Sequence, residues 1–366
     1  MKARLHIAAV AVLALLFPAS ASAVSREFYG VVPSGSPSQS EFRTMGQGNV
    51  GTFRFQLSWR SIQRSEGGAY DWSGADELIG NAAANGIELL PFVYGTPSFA
   101  GATSRTPPLG SAADKQAFKE FLTAAWERYG PGGDYWTDPT LFLLQHPGAT
   151  PRPIDDWQIW NEVNSPTFYE PKPSVKGYAE LLRISDDALS SAARSSGRGA
   201  DIVLGGMFGT PRRKGAIFAW KYLKRLYKTN AEGVIDAIAL HPYSPNLGGI
   251  KAQIKLARQK IKKAGGGKPP IWITEIGWGS AGTKGHDLIK SRAGQKKMLR
   301  KSFKLLRKKR GKWKIRRALW FAWRDPASPN DSSGTTCTWC SSAGLFDRDL
   351  DPKPSWDQFR RLTRAG

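Results

Sequence analysis

Two cysteines in 366 residues are too few for a disulfide-stapled miniprotein or a multi-zinc protein. No apolar run reaches the roughly 18 residues needed to span a bilayer as a helix. A Pro- or Ser-rich linker is also missing; the only such run, Ser34–Ser40, suits a loop after a first strand. The first β-rich run leads into Gly30-Val31-Val32-Pro33-Ser34-Gly35, which is not the Gly-rich phosphate turn of a doubly wound sheet. Acidic residues are scarce: 30 Asp and Glu face 53 Lys and Arg, for a formal net charge of +23. What is present is globular in character, with 40% hydrophobic and 23% charged residues, which excludes a disordered or collagen-like chain. Fourteen tryptophans suit either a large core or flat apolar ligands.

The charge is concentrated. Residues 251–317 hold 23 Lys or Arg and only two acids, Glu275 and Asp287, so this stretch carries +21 of the total. Solvated outer helices that keep the protein soluble explain such a stretch; so does a surface that meets polyanions. No nucleic-acid motif accompanies it.

The N-terminus reads as an address. Lys2 and Arg4 precede the apolar run Ile7–Phe17, and Ala21-Ser22-Ala23 is a small-residue cleavage pattern. This is the design of a secretory signal peptide over residues 1–23, with one extracellular domain over 24–366 as the expectation. Export favours a Cys337–Cys340 disulfide over half of a zinc site, whose other half is not visible, or a pair of free thiols.

One pattern repeats along the chain. Eight β-rich runs are found at Phe28–Pro33, Gly51–Leu57, Ile87–Tyr94, Asp156–Trp160, Asp201–Met207, Val234–Leu240, Pro270–Thr274 and Arg317–Trp323. Helical patterns lie between them. Ala75–Asn85 stops at Gly86, Ala112–Arg128 carries Phe118, Phe121, Leu122 and Ala125 on one face, and Ile250, Ile254, Ala257 and Ile261 form an amphipathic stripe. Ile289, Ala293, Leu299, Phe303 and Leu306 form a looser one. Eightfold strand–helix alternation predicts an α/β fold, a single (β/α)8 TIM barrel with loop insertions at 95–111, after strand three, and at 129–155, before strand four.

Barrels of this kind place their chemistry at the C-terminal ends of the strands. Strand four ends in Asn161-Glu162, strand six in His241-Pro242-Tyr243, strand seven in Glu275, and strand eight in Trp323-Arg324-Asp325. In strand two, Arg54 alternates with Phe53 and Phe55 and is expected to point inward. Glycoside hydrolysis needs one carboxylic acid to protonate the leaving oxygen and one carboxylate to attack or to activate water. Glu162 and Glu275 supply the pair. An inward Arg54 would hold Glu275 ionised, Tyr243 would donate to it, and Glu162, among aromatics, would keep its proton. Alone, each Glu is as well explained by a salt bridge at the barrel mouth. Together with His, Tyr, Trp and Arg at other strand ends, they point to catalysis.

The residues now carry a family resemblance. Trp160-Asn161-Glu162 and Thr274-Glu275-Ile276-Gly277 resemble the acid/base and nucleophile signatures of the retaining glycoside hydrolases of clan A. Trp59-Arg60-Ser61-Ile62 with Gly68–Trp72, the loop Glu162–Tyr169, and Gly344-Leu345-Phe346-Asp347 with Pro352-Lys353-Pro354 are similar to segments of the family 39 and family 5 branches. Val163 departs from the Pro that many relatives carry there. The resemblance implies that Asn161 bonds the sugar 2-hydroxyl, that His241 and Tyr243 line the cleavage subsite, and that a strand-eight tryptophan stacks under the sugar. Of Trp320 and Trp323, the latter is preferred for lying nearer the strand end. Tyr94, Tyr169 and Trp278 are loop aromatics suited to sugar platforms or to ordinary packing. The resulting expectation is a secreted retaining glycosidase acting on β-linked sugars, with substrate contacts from Arg54, Asn161, His241, Tyr243 and Trp323, and no metal or organic cofactor. The alternative from another class is a noncatalytic carbohydrate- or polyanion-binding barrel.

Overall fold

The computed structural model describes residues 24–194, 197–211, 213–282, 285–327 and 337–364. The expected signal peptide, 1–23, lies outside the described residues. Eight parallel strands close into a barrel in sequence order: β1 (Tyr29–Val32), β2 (Thr52–Ser58), β3 (Glu88–Tyr94), β4 (Asp156–Asn161), β5 (Asp201–Phe208), β6 (Ile238–His241), β7 (Ile271–Ile276) and β8 (Ile315–Phe321). A principal helix follows each strand: α1 (Gln39–Gln47), α2 (Ser73–Ala84), α3 (Ala112–Tyr129), α4 (Val175–Ala193), α5 (Ala219–Leu226), α6 (Leu247–Lys262), α7 (Arg292–Trp313) and α8 (Pro354–Arg364). The expected (β/α)8 barrel is the observed fold.

Local chemistry sets the helix ends. Ser38 with Glu41 and Ser111 with Asp114 form capping boxes that start α1 and α3, satisfying amide donors that the first turn leaves open. Ser174, Asn246 and Ser291 cap α4, α6 and α7. Gly86, at φ 69°, takes the left-handed turn after α2 that its position suggested. In α7 the buried stripe is Gln295, Leu299, Ser302, Phe303 and Leu306, whereas Ala293 is exposed and Ile289 precedes the helix. Gln295 replaces an apolar residue inside because its amide donates to the Trp278 and Ser342 carbonyls and accepts from Ser355.

Strand alternation divides the core in two. Outward side chains such as Phe53, Phe55 and Leu57 meet the helices. Inward ones, including Val32, Leu90, Val203, Ala239, Trp272 and Leu319, fill the barrel. At the N-terminal mouth Arg317 pairs with Asp156 at 2.8 Å, closing the floor beneath the site. Most strand boundaries fall within a residue of expectation; β7 runs two residues further, to Ile276, and β6 and β8 also shift. β6 begins only at Ile238, because Glu232–Val234 make a 3-10 turn and Asp236 turns its carboxylate to the Ile202 amide. β8 runs Ile315–Phe321, two residues earlier than the sequence pattern suggested, because Lys314 ends α7 in the left-handed conformation and β8 follows directly. Cys337 and Cys340 are joined as a disulfide.

Candidate active site

The two glutamates meet. A carboxylate oxygen of Glu162, at the end of β4, and one of Glu275, in β7, lie within 4.8 Å of each other and of the His241 ring. His241 Nδ1 stands 2.8 Å from Glu162 Oε1 and 3.4 Å from Glu275 Oε2. Its Nε2 stands 3.0 Å from Thr274 Oγ1. Burial, with the Arg54 charge nearby, pushes the His241 pKa well down, so the ring is neutral. A neutral ring has one N–H. With Nδ1–H donated to the Glu162 carboxylate, Nε2 accepts from the Thr274 hydroxyl.

Arg54 is directed inward as the alternation of β2 requires. It is 1% exposed and fully engaged: Nη1 donates to Glu275 Oε1 at 2.7 Å, Nη2 to Asn161 Oδ1 at 2.8 Å and Nε to Gln158 Oε1 at 2.6 Å. Its guanidinium also lies over the Phe92 ring at 4.2 Å. Tyr243 donates its hydroxyl to Glu275 Oε2 at 2.7 Å. Glu275 therefore holds two hydrogen bonds that favour its charged form. Burial raises its pKa, and Arg54 and Tyr243 oppose that rise. Glu162 has weaker support, from the more distant Arg54 charge and the His241 ring. Burial and then the charge of Glu275 push its pKa well above the usual carboxylate range. The surroundings therefore favour a proton on Glu162 over one on Glu275.

The backbone around Glu162 is strained. Trp160 and Glu162 have φ of 71° and 40°, left-handed values that cost a non-glycine residue about 1–3 kcal/mol each. The Glu162 amide is anchored on the Gly206 carbonyl at 2.9 Å, and the Trp160 indole on the Phe168 carbonyl at 2.7 Å. Gly206 has to be glycine, since a Cβ there would stand 2.0 Å from His241 Nε2.

Glu162, His241 and Glu275 have the donor types of a metal site. The guanidinium of Arg54 on Glu275 already supplies a buried positive charge there, which disfavours a cation in the same position.

Several expected contacts are corrected. Arg54 and His241, the latter 0% exposed, are buried behind the carboxylates, so they position Glu275 and Glu162 and are screened from a sugar. Trp323 is 1% exposed and is not a platform: the strand has ended, its amide donates to Val32, its indole to Glu41 at 3.0 Å, and its ring packs on Phe346 and Trp356. Trp320 is core, as expected. Trp278 and Tyr169 are also packed inside, the first against Trp320 and the second against Trp160. Tyr94 is half-buried and meets Trp160 edge-on. The Asn161 Oδ1 is held by Arg54, and among the described residues its Nδ2 has no hydrogen-bond partner.

Sequence reasoning missed three residues. Phe321, the last residue of β8, is half-buried and shares an aromatic corner with Tyr243 and Trp339. Gln158 and Thr274 fix Arg54 and His241. Their signal was parity: Gln158 sits two positions after the inward Asp156 on β4, and Thr274 two after the inward Trp272 on β7.

Residues 188–339 match the glycosyl hydrolase catalytic core. That match spans less than half of the chain. The matched stretch takes in His241, Tyr243, Glu275 and Phe321, while Arg54, Asn161 and Glu162 precede it. No curated protein matches the chain. Among solved structures, a family 39 glycoside hydrolase from Bacteroides cellulosilyticus WH2 superposes with a TM-score of 0.63 at 16% identity. That match covers 93% of this chain and 65% of the other, so the chain spans about two-thirds of that relative's length. A GH5_18 variant from Bifidobacterium longum subsp. longum, in complex with Manb1-4GlcNAc, gives 0.61 at 16% identity over 92% and 77% of the two chains. The GH53 catalytic domain of Ignisphaera aggregans gives 0.60 at 18% identity over 93% and 98%. These families share the clan A barrel, and at such identities the likeness concerns the fold.

Proposed function

We propose that the chain is a secreted, retaining glycosidase that cleaves a β-linked poly- or oligosaccharide by double displacement. One observation carries the reading: the carboxylates of Glu162 and Glu275 approach within 4.8 Å, one hydrogen-bonded by Arg54 and Tyr243 and the other not. Retaining enzymes hold their carboxyl groups about 5–5.5 Å apart, whereas inverting ones leave roughly 6.5–9.5 Å for a water.

In this mechanism the protonated Glu162 gives its proton to the glycosidic oxygen as that bond to the anomeric carbon breaks. An oxygen of Glu275 attacks the same carbon from the opposite face, forming a glycosyl ester. Glu162, now ionised, takes a proton from water, whose oxygen attacks the anomeric carbon and releases Glu275. Arg54 and Tyr243 stabilise Glu275 while it is charged. His241 donates to Glu162 when that residue is charged, after the first proton transfer. The free Asn161 amide is placed to bond the sugar 2-hydroxyl, and Phe321 offers an apolar ring beneath it. Neither step needs a cofactor.

Export is supported by the signal-like pattern of residues 1–23 and by the Cys337–Cys340 bridge, a bond that persists in oxidising surroundings. The test is a screen of residues 24–366 against aryl β-glycosides and polysaccharides, with Glu275→Gln as control. Turnover by wild type that is lost in the variant supports the reading. Equal turnover by both removes Glu275 from the mechanism.

A further inference from the structure

The basic stretch of the sequence becomes two parallel rails. Along α7, Lys297, Lys301, Lys304, Lys308 and Lys312 recur at intervals of three or four residues, and all five are exposed. They lie opposite the buried stripe of Leu299, Phe303 and Leu306 and span about 22 Å at the helical rise. On α6, which packs beside it, Lys251, Lys255 and Lys262 are exposed in the same way. Neither helix contains an acid. Like charges three or four apart weaken a helix, so stability does not favour this spacing.

We propose that the α6–α7 wall is a docking face for an anionic polysaccharide, a polymer bearing repeated carboxylates, and that it acts as a tether separate from the catalytic mouth. Position argues for a tether. Each helix runs back from the C-terminal end of the barrel to the next strand, so Lys262, Lys308 and Lys312 sit toward the N-terminal end, away from Glu162 and Glu275. Chemistry argues for a glycan. Lysines are point charges suited to a flexible polyanion and lack the fork that reads one fixed geometry. The aromatic residues of α7, Phe303 and Trp313, are buried, so it offers no ring for stacking bases. The choice of a carbohydrate polymer rests on the glycosidase reading; the docking face itself does not.

The test measures retention on immobilised polygalacturonate as salt rises, using the full mature chain. A variant with Lys301, Lys304, Lys308 and Lys312 changed to Gln is compared with a control that loses as much charge elsewhere, at Arg43, Arg64, Lys172 and Lys176. The expected result is retention of wild type at about 0.15 M salt. The α7 variant should bind at least about tenfold more weakly with a shallower salt slope, and the control should stay within about twofold. The α7 variant should melt with wild type and hydrolyse a small aryl glycoside at the wild-type rate. Equal losses in both variants would reduce the effect to net charge and overturn the proposal. So would absent wild-type retention, or tighter binding to duplex DNA than to polygalacturonate at equal salt. If no glycoside is cleaved yet the α7 variant alone loses retention, the docking face stands and the glycosidase reading fails.

Discussion

Arg54 donates to Glu275 at 2.7 Å across the inside of the barrel, joining strands that begin and nearly end the fold. A buried guanidinium requires a carboxylate, and a nucleophilic carboxylate must stay charged. One ion pair meets both needs. Removing one partner of such a pair strands the other and costs about 3–5 kcal/mol. Arg54→Met should therefore lower the melting point and cut kcat by at least about a hundredfold. It should also move the acid limb of the kcat/KM profile to higher pH, because Glu275 loses what opposes its protonation. An unmoved acid limb would mean that Arg54 serves the fold alone.

Glu162 is destabilising by design. Its pKa is raised in the folded state, so its contribution to stability is greatest at low pH, below the unfolded carboxylate pKa, and is lost as pH climbs through the folded value. Glu162→Gln removes that loss. The variant should gain stability over wild type at about pH 7–8 and much less near about pH 4. Thermal melts across that range check the sign. In activity, it should retain cleavage only of substrates whose leaving group needs no proton, and its alkaline limb should vanish.

Thr274 and Gly206 act through His241. Thr274→Val leaves Nε2 without its donor, freeing the ring to place its proton on either nitrogen. We expect kcat to fall about tenfold or more with KM little changed. Gly206→Ala puts a methyl against the same nitrogen and should impair both activity and stability. A change confined to KM would remove His241 from the positioning role.

Phe321 and Trp323 should separate cleanly. Phe321→Ala should raise KM for sugar substrates with little change in melting point. Trp323→Phe, which deletes the indole bond to Glu41, should lower the melting point by a few degrees and leave KM alone. The reverse pattern would restore Trp323 as the platform.

The sequence made some of this legible and hid the rest. Strand–helix alternation, the inward parity of Arg54 and the two Glu at strand ends follow from local periodicity and therefore survived folding unchanged. The tryptophan assignment failed because it depended on where β8 stops. The left-handed turn at Lys314 shifts that strand by two residues, leaving Phe321 at the mouth and Trp323 in the core. His241 and Arg54 were placed beside the carboxylates, but burial depth is a property of packed neighbours such as Gly206, Gln158 and Phe92, and no local pattern encodes it. Gln295 is an interior residue only because distant loops bring carbonyls to it, which the helix's own periodicity does not encode.

The central claim is that Glu275 becomes covalently glycosylated while Glu162 handles the proton. The most direct measurement is the mass of the Glu275 peptide after incubation with a 2-deoxy-2-fluoro analogue of whichever aryl β-glycoside the protein cleaves. The account predicts one sugar added, on Glu275 and absent from Glu275→Gln. Steady turnover of the parent glycoside with no adduct, or with an adduct on another residue, would contradict it.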